Sequence, residues 1–190
     1  MLSSITPLGQ RSKGKSWERT VAAFWIGAIG AGAAVFSVLG WIGDLVEVTD
    51  STLEIVLVAV PVAAALDLVG VRAPGPRRQV DEDWLGGYRD WVTGFGFGAQ
   101  LGVGFATIVP SFGTWALYLI AVGSGLPLAA VLGAGFGLGR SLLLVATRKV
   151  HSASTLATIM ERFNGTESVA GRIALAGYAL VATVGVLHVA

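Results

Sequence analysis

Cysteine is absent from all 190 residues of the chain, and charged residues make up only 13% of them. Without thiols the chain can form no disulfide, no thiolate metal site and no dithiol redox centre. A soluble domain usually carries about 25% charged residues. The formal net charge of +1 also argues against a nucleic-acid partner, because proteins that bind nucleic acid show clustered basic faces.

Hydrophobic residues are in excess instead, at 54% of the chain, and glycine occurs 27 times. A water-soluble protein this apolar could not cover its own surface, so lipid must solvate much of the chain. Small residues such as glycine let membrane helices approach each other closely. The composition therefore predicts an all-α membrane protein, a polytopic helical bundle that forms one domain over residues 1–190 and has the lipid bilayer as its partner.

Apolar runs long enough for a membrane helix recur along the chain, since one crossing needs about 20 mostly apolar residues. They predict five spans, at residues 20–43, 55–71, 92–122, 126–147 and 173–189. The third run is long for a single crossing, and Pro110 is expected to kink or break it because proline removes a backbone hydrogen bond. A six-span alternative splits this run at Pro110, and it would place Arg148 and Lys149 outside the cell.

Basic residues give the expected orientation, because Lys and Arg are enriched in cytoplasmic loops. Of the 13 Lys and Arg residues, all but Arg140 fall in the tail 1–19 or in the loops 72–90 and 148–172. Five spans put all of these segments on one side of the membrane. We therefore expect a multi-pass protein of the plasma (inner) membrane with its N-terminus in the cytoplasm.

The loop 148–172 has an apolar pattern of its own. Leu156, Ile159, Met160 and Phe163 recur at i, i+3, i+4 and i+7, with polar residues on the other faces. This spacing predicts a short amphipathic helix that lies on the cytoplasmic face of the membrane.

Asp67 and Arg140 are the charged residues inside the predicted spans. Each would cost about 2.5–3.5 kcal/mol at the centre of an isolated membrane helix. Both are expected near the cytoplasmic ends of their spans, at similar depth, so one interpretation is an ion pair that holds two helices together. A second is a proton or anion site in a polar cavity that lies on a substrate path. A third is that each side chain extends to the interface.

The first half of the third predicted span is rich in glycine. The residues that stand out in and after it are Gly94, Gly98, Gln100, Gly102, Gly104, Pro110 and Ser111. The GxxxG spacing of Gly94, Gly98 and Gly102 is typical of close helix packing. The alternative is a flexible, partly unwound helix that lines a substrate path, with Gln100 as its polar element and Pro110 as its break.

The run from Gly94 to Gly98 alternates glycine with phenylalanine, and Val109, Pro110 and Ser111 follow it. In this it resembles the transmembrane family that includes CcdA and the membrane domain of DsbD, in which a Gly/Phe-rich helix leads into a Pro-Cys pair. Ser111 stands where that family has cysteine, and the family has six spans against the five predicted here. The resemblance implies a small transporter-like helical bundle that lacks the family's thiol exchange.

Catalytic motifs do not accompany these features. The sequence contains no HExxH, no P-loop and no nucleophile elbow, and His151 and His188 fall on opposite sides of the predicted bundle. We expect no enzyme activity, no metal and no cofactor. Two functions stay open. One is a small permease or exporter. The other is a non-catalytic accessory subunit or assembly factor of a larger membrane complex, with other membrane subunits or further copies of the chain as partners.

Overall fold

The computed structural model describes residues 16–76, 88–107, 109, 111–142 and 144. Within these residues the chain is helical and contains no strand, which confirms the predicted all-α class. A 3₁₀ turn, Thr49–Ser51, precedes the second helix. The five α-helices of this part of the chain are α1 (Trp17–Leu45), α2 (Thr52–Leu68), α3 (Asp90–Val103), α4 (Gly113–Gly123) and α5 (Gly125–Ser141). The predicted amphipathic helix and the predicted span 173–189 lie outside the described residues.

Helix α1 covers the first predicted span and extends it at both ends. Its 29 residues make it the one helix in the described part of the chain that is long and apolar enough to cross a membrane. Only 28% of its most apolar stretch is buried inside the bundle. The other residues of this stretch are partly buried or exposed.

Helices α1 and α3 lie side by side and run in the same direction. Gly94, Gly98 and Gly102 of α3 lie against the backbone of α1, so close that a methyl group at these positions would overlap the carbonyl oxygens of Thr20, Phe24 and Ala28, respectively. Glycine at every fourth position therefore gives α3 a smooth face on which α1 packs.

Helix α5 also packs on α1 and runs in the opposite direction. Gly133 lies against the carbonyl of Gly32, and Gly137 lies against the carbonyl of Ala28. At the start of α5, the Leu126 N–H donates a hydrogen bond of 3.3 Å to Oδ2 of Asp44, which stands near the end of α1. A carboxylate at a helix N-terminus is favourable because it meets unpaired N–H groups and the positive end of the helix dipole.

Helix α2 is peripheral and packs antiparallel to α4. Ala59 and Ala63 of α2 form a small buried cluster with Ala116 of α4. The Thr52 hydroxyl donates to the carbonyl of Gly123, which joins the start of α2 to the end of α4. Helix α2 overlaps the predicted span 55–71, but it begins three residues earlier, at Thr52, and ends three residues earlier, at Leu68.

The third predicted span, 92–122, is two helices rather than one. Helix α3 ends at Val103, and α4 begins at Gly113. The two follow α1 in the same direction, since Gly94 lies beside Thr20 and Val122 lies beside Gly43. They form one discontinuous element. Its interruption begins at Gly104, earlier in the chain than the Pro110 at which the break was expected, and Pro110 itself lies outside the described residues.

Candidate functional site at the helix break

The interruption between α3 and α4 starts with a glycine in a conformation that other residues rarely adopt. Gly104 has φ 81° and ψ −58°. Its N–H donates to the carbonyl of Leu101 at 3.2 Å, and the chain then turns away from the helix. A methyl group on Gly104 would overlap the hydroxyl of Tyr118 and would press on the ring of Phe136. Glycine is therefore required here both for its backbone angles and for its lack of a side chain.

Two side chains from other helices cover the carboxyl end of α3. The Tyr118 hydroxyl, on α4, donates a hydrogen bond of 2.6 Å to the carbonyl of Val103. The Arg140 guanidinium, on α5, donates from Nη1 to the carbonyl of Gly104 at 3.4 Å. The last carbonyls of a helix have no partner within the helix and carry partial negative charge. A hydroxyl donor and a cation can both act as partners for these carbonyl oxygens.

Arg140 makes two further contacts at the same place. Nη2 donates to the Thr107 hydroxyl at 3.4 Å. The Cζ atom lies 5.5 Å from the centre of the Phe136 ring, one turn earlier on α5, which is within the range of a cation–π interaction. Within the described residues, Arg140 thus contacts a carbonyl, a hydroxyl and an aromatic face. All three are neutral groups that attract a cation.

Tyr118 is held in place by aromatic neighbours from three directions. Its ring lies 5.2 Å from that of Phe36, 5.7 Å from that of Trp115 and 6.2 Å from that of Phe105, measured between ring centres, and all three pairs meet at steep angles. Only 7% of Tyr118 is exposed. Edge-to-face packing of this kind fixes the ring, and so fixes the hydroxyl that caps α3.

The amino end of α4 has a carboxylate beside it. The Phe112 N–H donates a hydrogen bond of 2.9 Å to Oδ1 of Asp67, near the end of α2. The chain that follows α2 also lies along the break, because Trp115 Nε1 donates to the carbonyl of Pro74 at 2.9 Å. The negative charge of Asp67 is thus placed at the positive end of α4.

The structure therefore brings Asp67 and Arg140 to the same interrupted segment, 104–112, at opposite ends of it. The hydrogen bonds described above join Arg140 to the end of α3 and Asp67 to the start of α4. The direct ion pair between these two side chains stays a prediction. Its physical premise, that two charges inside apolar helices need partners, applies to both residues.

The other predicted site residues fall into two groups. Gly94, Gly98 and Gly102 form a packing face against α1, and half-buried Gln100 lies on the same helix. Gly104 and Ser111 belong to the break, where the Ser111 carbonyl accepts a hydrogen bond of 3.3 Å from the Thr114 N–H. The residues that sequence reasoning missed are Thr107, Tyr118 and Phe136. A tyrosine within a long apolar run was the one available signal, because a buried tyrosine hydroxyl usually has a partner.

The proposed likeness to the family of CcdA and DsbD stays a prediction from the motif around Gly94 and Ser111. The chain matches no protein-family model, no curated protein and no solved structure.

Proposed function

We propose that this chain is a small multi-pass membrane permease, in which the discontinuous element α3–α4 is one crossing and its break lies on the substrate path. The observation that carries the proposal is the break itself, with the Arg140 charge at one end and the Asp67 charge at the other. Transporters place substrate and ion sites at discontinuous helices of this kind. Irregular backbone at membrane depth is tolerated where protein buries it or where it lines a cavity.

The proposal of a bilayer setting has support from the surface of the bundle. Large apolar side chains face outward on several helices, including Ile26 on α1 at 66% exposure, Val58 on α2 at 65% and Val131 on α5 at 67%. Soluble monomers rarely expose large contiguous apolar patches, whereas a bilayer would cover these side chains. At 29 residues, α1 is about 43 Å long, which exceeds the hydrocarbon thickness of about 30 Å.

The crossing can be tested by labelling, because the native chain offers no thiol background. Glu47 follows the end of α1, and Tyr88 precedes the start of α3, so the parallel packing of these helices puts them at opposite ends of the bundle. In intact cells, an impermeant maleimide should label Glu47→Cys and should spare Tyr88→Cys until the cells are opened. Equal labelling of both variants in intact cells would reject a bilayer crossing between them.

The substrate path has a test of its own that requires no known substrate. Ser111 lies in the break. Ala34 is an exposed residue of α1 that lies after the stretch in contact with α3 and before Gly43, which contacts α4. In sealed proteoliposomes, Ser111→Cys should react with a small charged thiosulfonate, and lipid-facing Ala34→Cys should not. Two equally inert variants would argue against a water-filled path through the break.

An accessory subunit is the second candidate, and one observation favours it. Gly135 and Gly139 lie one turn apart on α5, and a methyl group at either position would meet nothing within 4 Å. This is the spacing by which membrane helices pack closely against a partner. Gentle solubilisation followed by native mass measurement distinguishes the two candidates. A complex with another protein that is lost in Gly135→Leu would support the subunit, and a particle that contains this chain alone would support the permease.

A further inference from the structure

The carboxyl end of α3 has the chemistry of a cation site. It combines the Gly104 carbonyl, the Thr107 hydroxyl and the face of the Phe136 ring, and the Val103 carbonyl lies beside them. The end of a helix adds partial negative charge to these acceptors. Each of these groups can face a cation, through two carbonyl oxygens, a hydroxyl oxygen and the face of an aromatic ring.

The Arg140 contacts indicate that its charge, more than its hydrogen-bond geometry, holds it there. Both nitrogen–oxygen distances are 3.4 Å. Hydrogen bonds from an N–H group to oxygen are usually shorter, at about 2.7–3.2 Å. A long contact to two neutral oxygens and a ring face, at the negative end of a helix, is chiefly a contact between a cation and dipoles. A free guanidinium ion should satisfy the same surroundings.

We propose that the carboxyl end of α3 is a cation-binding site whose resident ligand is the side chain of Arg140, and that a free guanidinium ion occupies it when this side chain is shortened. The inference rests on the proposed function in one respect, which is that the bilayer keeps the site in surroundings of low dielectric constant. It also gives Arg140 a role in that function. Transporters with broken helices often coordinate Na⁺ at a half-helix carboxyl end. Here a tethered cation takes that position, so neither folding nor flux should require Na⁺.

The test is the thermal stability of the full chain in lipid nanodiscs, for the wild type and for Arg140→Ala. Each protein is unfolded in N-methylglucamine chloride and then with part of that salt replaced by methylguanidinium, Na⁺ or K⁺ at constant chloride. Arg140→Ala should have a lower Tm than the wild type. Methylguanidinium should raise the Tm of Arg140→Ala by about 3–6 °C at ten times its Kd, and it should not raise the Tm of the wild type. The exposed Arg72→Ala is the matched control, and it should respond as the wild type does.

Two further variants make the outcome specific. Arg140→Lys keeps a cation on a tether and should need no added ion. Thr107→Val combined with Arg140→Ala removes one acceptor and should weaken the methylguanidinium effect. If Arg140→Ala does not yield folded protein, Arg140→Gln removes the charge with less loss of volume and serves in its place.

Two outcomes would overturn the cation site. One is that Arg140→Ala and Arg72→Ala respond to methylguanidinium alike. The other is that changing the anion, at constant cation, restores stability better than changing the cation. Neither readout depends on transport. A stabilising response without any aqueous access at Ser111 would therefore reject the permease and leave the cation site standing.

Discussion

Helix α1 and the element α3–α4 run in the same direction and are both rich in glycine, yet α1 is continuous and α3–α4 is interrupted. In α1, Gly27 and Gly32 keep helical angles and lie against the backbones of neighbouring helices. The first glycines of α3 do the same. Only at Gly104 does the backbone leave the helix, and there Tyr118 and Arg140 take the freed carbonyls.

The comparison teaches that glycine content alone does not interrupt a helix. An interruption leaves N–H and carbonyl groups unpaired, and each would cost several kcal/mol in hydrocarbon. The break in α3–α4 is stable because three helices supply partners for it, with Asp67 at the amino end of α4 as the third. The predictions below test this contrast, in order of decreasing effect.

The largest effect is expected where a continuous glycine face touches backbone. A methyl group in Gly27→Ala would overlap the carbonyl oxygen of Phe95 on α3, whereas a methyl group in Gly30→Ala, one turn away, would meet nothing within 4 Å. We expect Gly27→Ala to lower the free energy of unfolding by about 3 kcal/mol, because backbone cannot move aside as a side chain can. Gly30→Ala should raise it by about 0.5–1 kcal/mol, because alanine favours the helix. Unfolding in mixed micelles, followed by circular dichroism, measures both, and similar values for the two variants would contradict the packing face.

The next effect concerns the charges at the break. Asp67→Ala and Arg140→Ala should each lower the free energy of unfolding by about 1–3 kcal/mol, since each leaves backbone groups without a partner. If each residue caps a different half-helix, the losses in the double variant should add within about 0.5 kcal/mol. If the two form a direct ion pair, the double variant should recover much of the loss instead. The same unfolding assay on the four proteins decides between the two arrangements.

A smaller and more local effect is expected from Tyr118→Phe. The ring packing stays, but the Val103 carbonyl loses the hydroxyl that donates to it. We expect a loss of about 1 kcal/mol, the usual net value of one hydrogen bond. Hydrogen–deuterium exchange should become faster around Gly104 and should be unchanged in the middle of α1. Equal acceleration in both helices would show that the hydroxyl stabilises the whole bundle rather than the break.

The smallest effect is expected just beyond the end of α1. Glu47 is the non-glycine residue with positive φ, at 57°, within the described part of the chain. Glycine adopts this conformation without steric cost, so Glu47→Gly should raise the free energy of unfolding by about 0.5–1 kcal/mol. The matched control is Glu54→Gly, at an exposed position in the first turn of α2. It should lower the free energy of unfolding by up to about 1 kcal/mol, because glycine is unfavourable at a helical position. If both variants lowered the free energy of unfolding, the Glu47 side chain would stabilise the fold by more than its positive φ destabilises it.

The sequence was sufficient for the first two helices, which long apolar runs mark. The predicted spans 20–43 and 55–71 lie within a few residues of α1 and α2, because length and polarity determine such boundaries locally. The break was expected at Pro110, since proline is a local signal. The structure begins it at Gly104, where Tyr118 and Arg140, which are distant in sequence, supply the partners.

The candidate site was predictable to the extent that charge is conspicuous in an apolar run. Asp67 and Arg140 stood out for that reason, and both lie at the break. Thr107 and Phe136 did not stand out, because a single threonine or phenylalanine is ordinary in an apolar run. The linear pattern also does not tell which helix faces meet. The sequence also did not show that Asp67 would cover the start of α4 and Arg140 the end of α3. Those positions depend on the antiparallel packing of α2 on α4 and of α5 on α1.

The position of α1 between α3 and α5 has a consequence for biosynthesis. Helix α1 is the first of these helices to be made, but Gly98 and Gly137, which lie against it, are made much later. At about 5–20 residues per second, the ribosome needs on the order of ten seconds to pass from the end of α1 to Gly137. Until then the part of α1 around Ala28 and Gly32 lacks the helix that packs on it in the finished bundle. A nascent chain stalled before α5 should therefore be the form that a chaperone holds most firmly.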